Sequence, residues 1–111
     1  MSRDYKLYLE DMLEAITKID DYTTGFSQVS LREDPKTLDA VARNLEIIGE
    51  AAKNIPEAIR ARHADVEWKK IAGLRDVLIH HYFGLNLPLV WDTIQNKLPA
   101  LAQQLRGILG R

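Results

Sequence analysis

Cysteine is absent from this 111-residue chain, and its absence excludes disulfide bonds, thiolate catalysis and cysteine-ligated zinc together. Only six glycines are present, too scattered to form a Gly-rich phosphate-binding loop. No apolar run approaches the length of a membrane span, and the first residues, Met1 to Lys6, lack the apolar core of a signal peptide. We therefore expect a soluble, cytoplasmic protein.

Charge of neither sign dominates the chain. Fifteen Lys and Arg residues face sixteen Asp and Glu residues, which leaves a net charge of −1. A protein dedicated to duplex DNA usually carries a basic excess, so that class is disfavoured. The stretch from Arg60 to His81, however, holds five Lys and Arg residues against three carboxylates and contains all three histidines. For its lysines, an ordinary solvated helix surface is the simpler interpretation.

Apolar residues recur at helical spacing almost throughout, and no segment alternates as a strand would. The pattern predicts a first helix that ends near Thr23–Gly25, followed by a loop from Gly25 to Glu33. Asp34 and Pro35 supply an N-cap and a first-turn proline for a second helix that runs to about Asn54.

The second half of the chain continues the helical pattern. A short helix from Pro56 to Arg62 precedes a longer one from Val66 to about His81, for which Asp65 is the predicted N-cap. Pro99 should kink or split the last helix near Leu98. That helix carries a coiled-coil-like seam of Leu87, Trp91, Ile94, Leu98, Leu101, Leu105 and Ile108. The predicted fold is all-α, a single domain over residues 1–111 built as an up-and-down bundle of four main helices plus a short helix.

The second helix is unusually apolar. Its polar residues form one narrow stripe, so that apolar residues cover more than the roughly one third of the circumference that a monomer's surface helix needs. The helix is therefore either central to the bundle or pressed against a second subunit. Glu46 and Glu50 share a face, where a carboxylate pair, a solvated stripe and a brace for Arg75 are the alternatives, and the last two are favoured. The stripe consists of Asp39, Arg43, Glu46, Glu50 and Lys53.

The run from Arg75 to Tyr82 reads Arg-Asp-Val-Leu-Ile-His-His-Tyr and lies near a predicted helix end. Arginine stabilises phosphate charge, histidine transfers protons near neutral pH, and tyrosine offers a modifiable hydroxyl. On a regular helix Arg75 and His80 are about 140° apart, whereas Arg75 and Tyr82 share a face about 10 Å apart. Either the helix ends or distorts between Arg75 and His80, or two copies present their motifs to a shared cleft on a two-fold axis.

Each motif residue also has a purely structural explanation. Arg75 can pair with Asp76 or with the acidic stripe of the second helix, and a histidine in a last helical turn interacts favourably with the helix dipole. Tyr82 can be a core residue with its hydroxyl at the rim. A metal site is disfavoured because the adjacent His80 and His81 point about 100° apart.

Several sequence blocks carry a family resemblance. They are the R-x4-H-x-Y run from Arg75 to Tyr82 and the segments Val41–Ala51, Trp68–Arg75, Tyr82–Asn86 and Val90–Ile94. Together they cover roughly residues 38 to 101 and resemble the HEPN superfamily, specifically its HepT-like toxins. The motif includes the tyrosine that many HEPN proteins lack.

The resemblance implies a metal-independent endoribonuclease without a cofactor, the homodimeric toxin of a HEPN/MNT toxin–antitoxin pair. In that role the RNA 2′-hydroxyl is the internal nucleophile, His80 the general acid/base, and Arg75 the group that holds the scissile phosphate. The resemblance also implies that a cognate minimal nucleotidyltransferase, the antitoxin, attaches AMP to Tyr82. In the alternative, relatives of this fold are non-catalytic nucleotide-binding subunits of a nucleotidyltransferase. Possible supporting residues are Glu46, Glu50 and Asp76.

Overall fold

Two helices of 19 residues each, α1 (Tyr5–Thr23) and α3 (Pro35–Lys53), pack against each other to form the centre of the fold. The computed structural model describes residues 3–74 and 87–111, and every regular element within those ranges is helical, as predicted. No helix in these ranges is long and apolar enough to cross a membrane.

The other helices are short and surround the central pair. After α1 and before α3 comes α2 (Gln28–Arg32), and after α3 come α4 (Glu57–Arg62) and α5 (Trp68–Ala72). The last described part of the chain contains α6 (Leu87–Asp92), a π-helical turn over Thr93–Lys97, and α7 (Leu98–Leu109).

Local capping sets the bounds of the two long helices. The Asp4 side chain accepts a hydrogen bond from the Lys6 backbone N–H at 3.0 Å, and Asp34 accepts one from the Thr37 N–H, also at 3.0 Å. Gly25 adopts a φ of 82°, a left-handed conformation that stops α1 close to where the sequence predicted its end. The predicted Asp34 cap is therefore confirmed.

Two local predictions were wrong. The predicted loop from Gly25 to Glu33 contains α2, which a capping box between Ser27 and Ser30 starts and the fully buried Leu31 anchors. Five residues are too few for helical periodicity to reveal such an element. The helix predicted from Val66 begins at Trp68 instead.

Asp65 does not cap that helix. Its backbone carbonyl oxygen accepts a hydrogen bond from Gln104 Nε2 at 3.2 Å, which links the α4–α5 connection to α7. The position at the helix start is taken by Glu67, whose side chain makes no capping hydrogen bond. A tertiary contact to α7 therefore replaces the local cap that the sequence suggested. The predicted end of this helix, near His81, lies outside the described residues.

The effect of Pro99 on the last helix was predicted correctly. Proline has no N–H to donate and its ring clashes with the preceding helical turn. The chain widens into the π-helical turn over Thr93–Lys97, and a regular α-helix resumes at Leu98 with Pro99 in its first turn. The seam residues Leu87, Ile94, Leu98, Leu101 and Leu105 are buried.

Helix α3 is central to the bundle. It contacts α1, α2 and α5, and its residues Val41, Leu45 and Ile48 are at most 2% exposed. Contacts within one chain therefore account for much of the apolar surface that made this helix unusual in the sequence. The predicted polar stripe of α3 is largely exposed.

Replacing Ile48 with alanine is expected to lower the free energy of unfolding by about 2–5 kcal/mol, because the change opens a cavity in a fully buried site. Chemical denaturation followed by circular dichroism measures this loss. Val29, 57% exposed on α2, provides the control, and its replacement with alanine should change stability by less than about 0.5 kcal/mol. Similar losses for both variants would contradict the assignment of Ile48 to the core.

Candidate functional site

The residues predicted to act in catalysis and modification, Arg75, His80 and Tyr82, lie outside the described residues, as does Asp76. The residues that bracket this part of the chain are described. Leu74 packs against the hydrophobic core, and Leu87, only 3% exposed, is part of the core. The described residues on either side of residues 75–86 are thus attached to the bundle.

The predicted supporting residues Glu46 and Glu50 lie together in a groove of about 430 Å³ between α1 and α3, here called the α1–α3 groove. Glu46 lies 4.0 Å from Arg43 on the same helix, an i,i+3 ion pair at the surface. The structure therefore confirms that these two carboxylates share one face. Other residues lining the groove include Arg3, Tyr8, Asp11, Ile47 and Asn54.

The α1–α3 groove is also lined by an arginine that has two side-chain partners. Arg3 Nη1 donates to Asp11 Oδ2 at 2.6 Å, and the guanidinium lies over the Tyr8 ring, 4.8 Å from its centre. The hydrogen bond to Asp11 is the main cause that raises the pKa of Arg3 above its ordinary value. Sequence reasoning missed Arg3 and Asp11, because only the packing of α1 on α3 brings them to the acidic stripe.

The alternating charges of the α1–α3 groove limit its chemistry. Carboxylates and guanidinium groups in one polar groove can accept and donate hydrogen bonds to a polar ligand or to further side chains. Within residues 3–74 and 87–111, no group of three or more His, Asp or Glu side chains is arranged to hold a metal ion.

The buried polar residues have structural roles. Thr23, Asn44 and Thr93 are each no more than 6% exposed. Each side chain donates to the backbone carbonyl four residues earlier: Thr23 to Ile19 at 2.7 Å, Asn44 to Ala40 at 2.9 Å and Thr93 to Leu89 at 2.8 Å. These bonds satisfy the polar groups inside their own helices, as buried polar groups require.

A second groove, of about 540 Å³, lies between α4 and α5 and is here called the α4–α5 groove. Its cations are Arg60, Lys69 and Lys70, and its carboxylates are Glu57 and Glu67. Lys70 Nζ lies 2.7 Å from Glu67, and this hydrogen bond raises the pKa of Lys70 and lowers the pKa of Glu67. Apolar residues, among them Val66 and Trp68, complete the lining.

Comparison with known proteins gives a consistent result. A family model described as "Ribonuclease HepT-like" matches residues 12–108 of this chain. A candidate RNase of Caldanaerobacter subterraneus subsp. tengcongensis is 44% identical over 102 residues, covering 92% of this chain and 91% of that protein. A candidate RNase of Methanocaldococcus jannaschii is 42% identical over 107 residues, covering 96% of this chain and 88% of the relative.

A third relative carries a more specific name. The probable ribonuclease HepT of Thermococcus cleftensis is 44% identical over 101 residues, covering 91% of this chain and 92% of that protein. No solved structure matches the chain significantly. The similarity extends across nearly the whole length of each of these relatives.

Proposed function

This chain belongs to the HepT-like ribonuclease family, and on that premise we propose that it is a metal-independent endoribonuclease, the toxin of a toxin–antitoxin pair. The observation that carries the proposal is the family match over residues 12–108, because that range encloses Arg75, His80 and Tyr82 in the R-x4-H-x-Y arrangement. The relatives named as ribonucleases support RNA as the substrate.

The proposed reaction uses the RNA's own 2′-hydroxyl. His80 accepts the proton of that hydroxyl, the 2′-oxygen attacks the adjacent phosphorus, and the bond from phosphorus to the 5′-oxygen breaks. A proton returned by a histidine completes the 5′-hydroxyl of the leaving strand. The other product ends in a 2′,3′-cyclic phosphate. Arg75 binds the non-bridging phosphate oxygens and stabilises the additional charge of the pentavalent transition state.

This reaction needs two histidine roles, a neutral base and a protonated acid. Histidine suits both because its ordinary pKa lies close to neutral pH. A homodimer that presents two copies of the motif to one cleft provides His80 from each chain, one in each protonation state. The angular separation of Arg75 and His80 on a regular helix also favours such a shared cleft.

Cleavage of RNA by the purified protein tests the proposed activity. We expect a single-stranded RNA to be cut in the presence of EDTA, with a 2′,3′-cyclic phosphate on the upstream product. The matched control is the same RNA with 2′-deoxy sugars, which should stay uncut because it lacks the nucleophile. Binding of nucleotides without any cleavage would instead favour the non-catalytic nucleotide-binding subunit.

The proposed dimer has its own test. We expect light scattering at micromolar protein concentration to give twice the chain mass of 12.7 kDa. A heterodimer assay then tests the shared cleft: mixing an excess of inactive His80→Ala chains with wild-type chains should reduce cleavage by more than simple dilution. A monomer at these concentrations would overturn the shared-cleft part of the proposal.

A further inference from the structure

The α4–α5 groove carries more cations than carboxylates, and some of these cations form no ion pair among the described residues. Lys70 is engaged by Glu67, but Arg60, Arg62 and Lys69 form no ion pair within the described part of the chain. Lys97 of the π-helical turn also acts on Glu67 and contributes to lowering its pKa. The surface around α5 therefore carries positive charge that its own carboxylates do not neutralise.

Arg60 is a cation of this groove whose hydrogen bonding is incomplete. Its Nε atom is buried and donates no hydrogen bond within residues 3–74 and 87–111, and a buried N–H without an acceptor is costly. Because the Nε atom itself is covered, an acceptor in the groove can reach it only if the partly exposed side chain turns. A phosphate oxygen is a suitable acceptor, because guanidinium groups bind phosphates through charge-assisted hydrogen bonds.

The apolar part of the groove's lining includes a fixed side chain. Trp68 is 6% exposed, and its indole N–H donates to the His63 carbonyl oxygen at 3.0 Å, which holds the ring in place. A volume of about 540 Å³ is large enough for a phosphate–sugar unit and falls within the range of ligand sites in proteins. The groove can therefore admit such a unit without movement of Trp68.

Position along the chain links this groove to the proposed nuclease site. Lys69 and Lys70 lie on α5, and Leu74 follows α5 directly before Arg75 in the sequence. A strand whose scissile phosphate is held by Arg75 must extend beyond it in at least one direction, and a cationic groove on the preceding helix offers a path for its backbone.

We propose that the α4–α5 groove binds the sugar–phosphate backbone of the single-stranded RNA substrate, through Arg60 and Lys69, at a point of the strand other than the scissile phosphate. The inference rests on the proposed ribonuclease function and adds a binding site to it. Contacts of this kind hold the strand without reading its bases, so they contribute to affinity rather than to sequence choice.

A non-cleavable probe separates this binding from catalysis. The probe is a fluorescein-labelled 2′-O-methyl RNA of mixed sequence, which lacks the nucleophilic hydroxyl, and fluorescence anisotropy measures its affinity for the full chain at several salt concentrations. The double variant Arg60→Gln/Lys69→Gln should bind on the order of tenfold more weakly. For this variant, the slope of log affinity against log salt concentration should be smaller in magnitude by about 0.7 for each lost phosphate contact.

The matched control is Arg32→Gln/Lys36→Gln, which removes one arginine and one lysine from exposed positions of α2 and α3 away from the groove. It should retain wild-type affinity and salt dependence. Lys69→Gln alone replaces an exposed side chain and so keeps the fold, and it should give part of the loss even if the double variant is destabilised. Arg60→Lys should retain most of the salt dependence, because it keeps the charge.

Equal affinities for the groove variants and the wild type would overturn this inference. Displacement of the probe by AMP at equal nucleotide concentration would also overturn it, because the groove would then take mononucleotides rather than a strand. The proposed nuclease is judged separately, by cutting of unmodified RNA. Wild-type protein that cuts RNA while the groove variants bind normally would leave the nuclease intact and reject only the groove.

Discussion

Replacing His80 with alanine is expected to reduce the rate of RNA cleavage by about 10²–10⁴-fold, the usual contribution of a general acid or base. Arg75→Ala should cause a loss of comparable size, because the transition-state charge would lose its guanidinium partner. The measurement is the initial rate of cleavage of a labelled RNA under saturating conditions. Growth toxicity on expression should disappear together with the activity.

His81 supplies a matched control for this prediction. It is the same residue type, one position along the chain, and on a regular helix it points about 100° away from His80. His81→Ala should therefore cleave RNA at close to the wild-type rate. The assignment fails if His81→Ala loses activity and His80→Ala keeps it. Circular dichroism of both variants shows whether any loss of activity comes from unfolding.

Replacing Tyr82 with phenylalanine is expected to abolish the addition of AMP by a cognate nucleotidyltransferase, since the change removes only the acceptor hydroxyl. Incubation of the wild-type chain with that enzyme, ATP and magnesium should add the mass of one AMP and stop RNA cleavage. On a regular helix Tyr82 shares a face with Arg75, so the new phosphodiester could pair with the guanidinium and occupy the place of the scissile phosphate.

Intact-mass measurement, followed by mapping of the modified peptide, checks this result. The chain contains three other tyrosines, Tyr5, Tyr8 and Tyr22, all on α1, and they serve as internal controls for the specificity of the transfer. Tyr82→Phe should keep its fold and much of its nuclease activity while resisting inactivation. AMP still added to Tyr82→Phe, or never added to the wild type by an active partner enzyme, would rule out Tyr82 as the acceptor.

Much of the helical architecture could be predicted from local sequence signals. The cap at Asp34, the end of α1 beside Gly25, and the effect of Pro99 each follow from the chemistry of one or two residues. Helix α2 and the start of α5 could not be predicted in the same way. Burial of Leu31 and the Gln104 contact to Asp65 decide those two regions, and both depend on packing against distant parts of the chain.

The candidate sites show the same division between local and distant information. Helical spacing was enough to place Glu46 and Glu50 on one face, because both belong to α3. The Arg3–Asp11 pair reaches these carboxylates only because α1 packs on α3, and the groove lined by Arg60 joins residues of α4 and α5, so helical spacing reveals neither. The sequence alone favours an ordinary solvated surface for the lysines of α5, and the groove that they line together with Arg60 is what gives them a proposed role.

The π-helical turn over Thr93–Lys97 holds one residue more than a regular α-helical turn, because its hydrogen bonds span five residues instead of four. Deleting one residue from this turn should therefore restore a regular α-helix and leave Leu101 and Leu105 facing the core. Adding one residue between Leu98 and Leu101, in the regular part of α7, would instead rotate both leucines by about 100° away from the core and from α1. The effect of a one-residue change on the last helix thus depends on whether the change falls in the π-helical turn or after it.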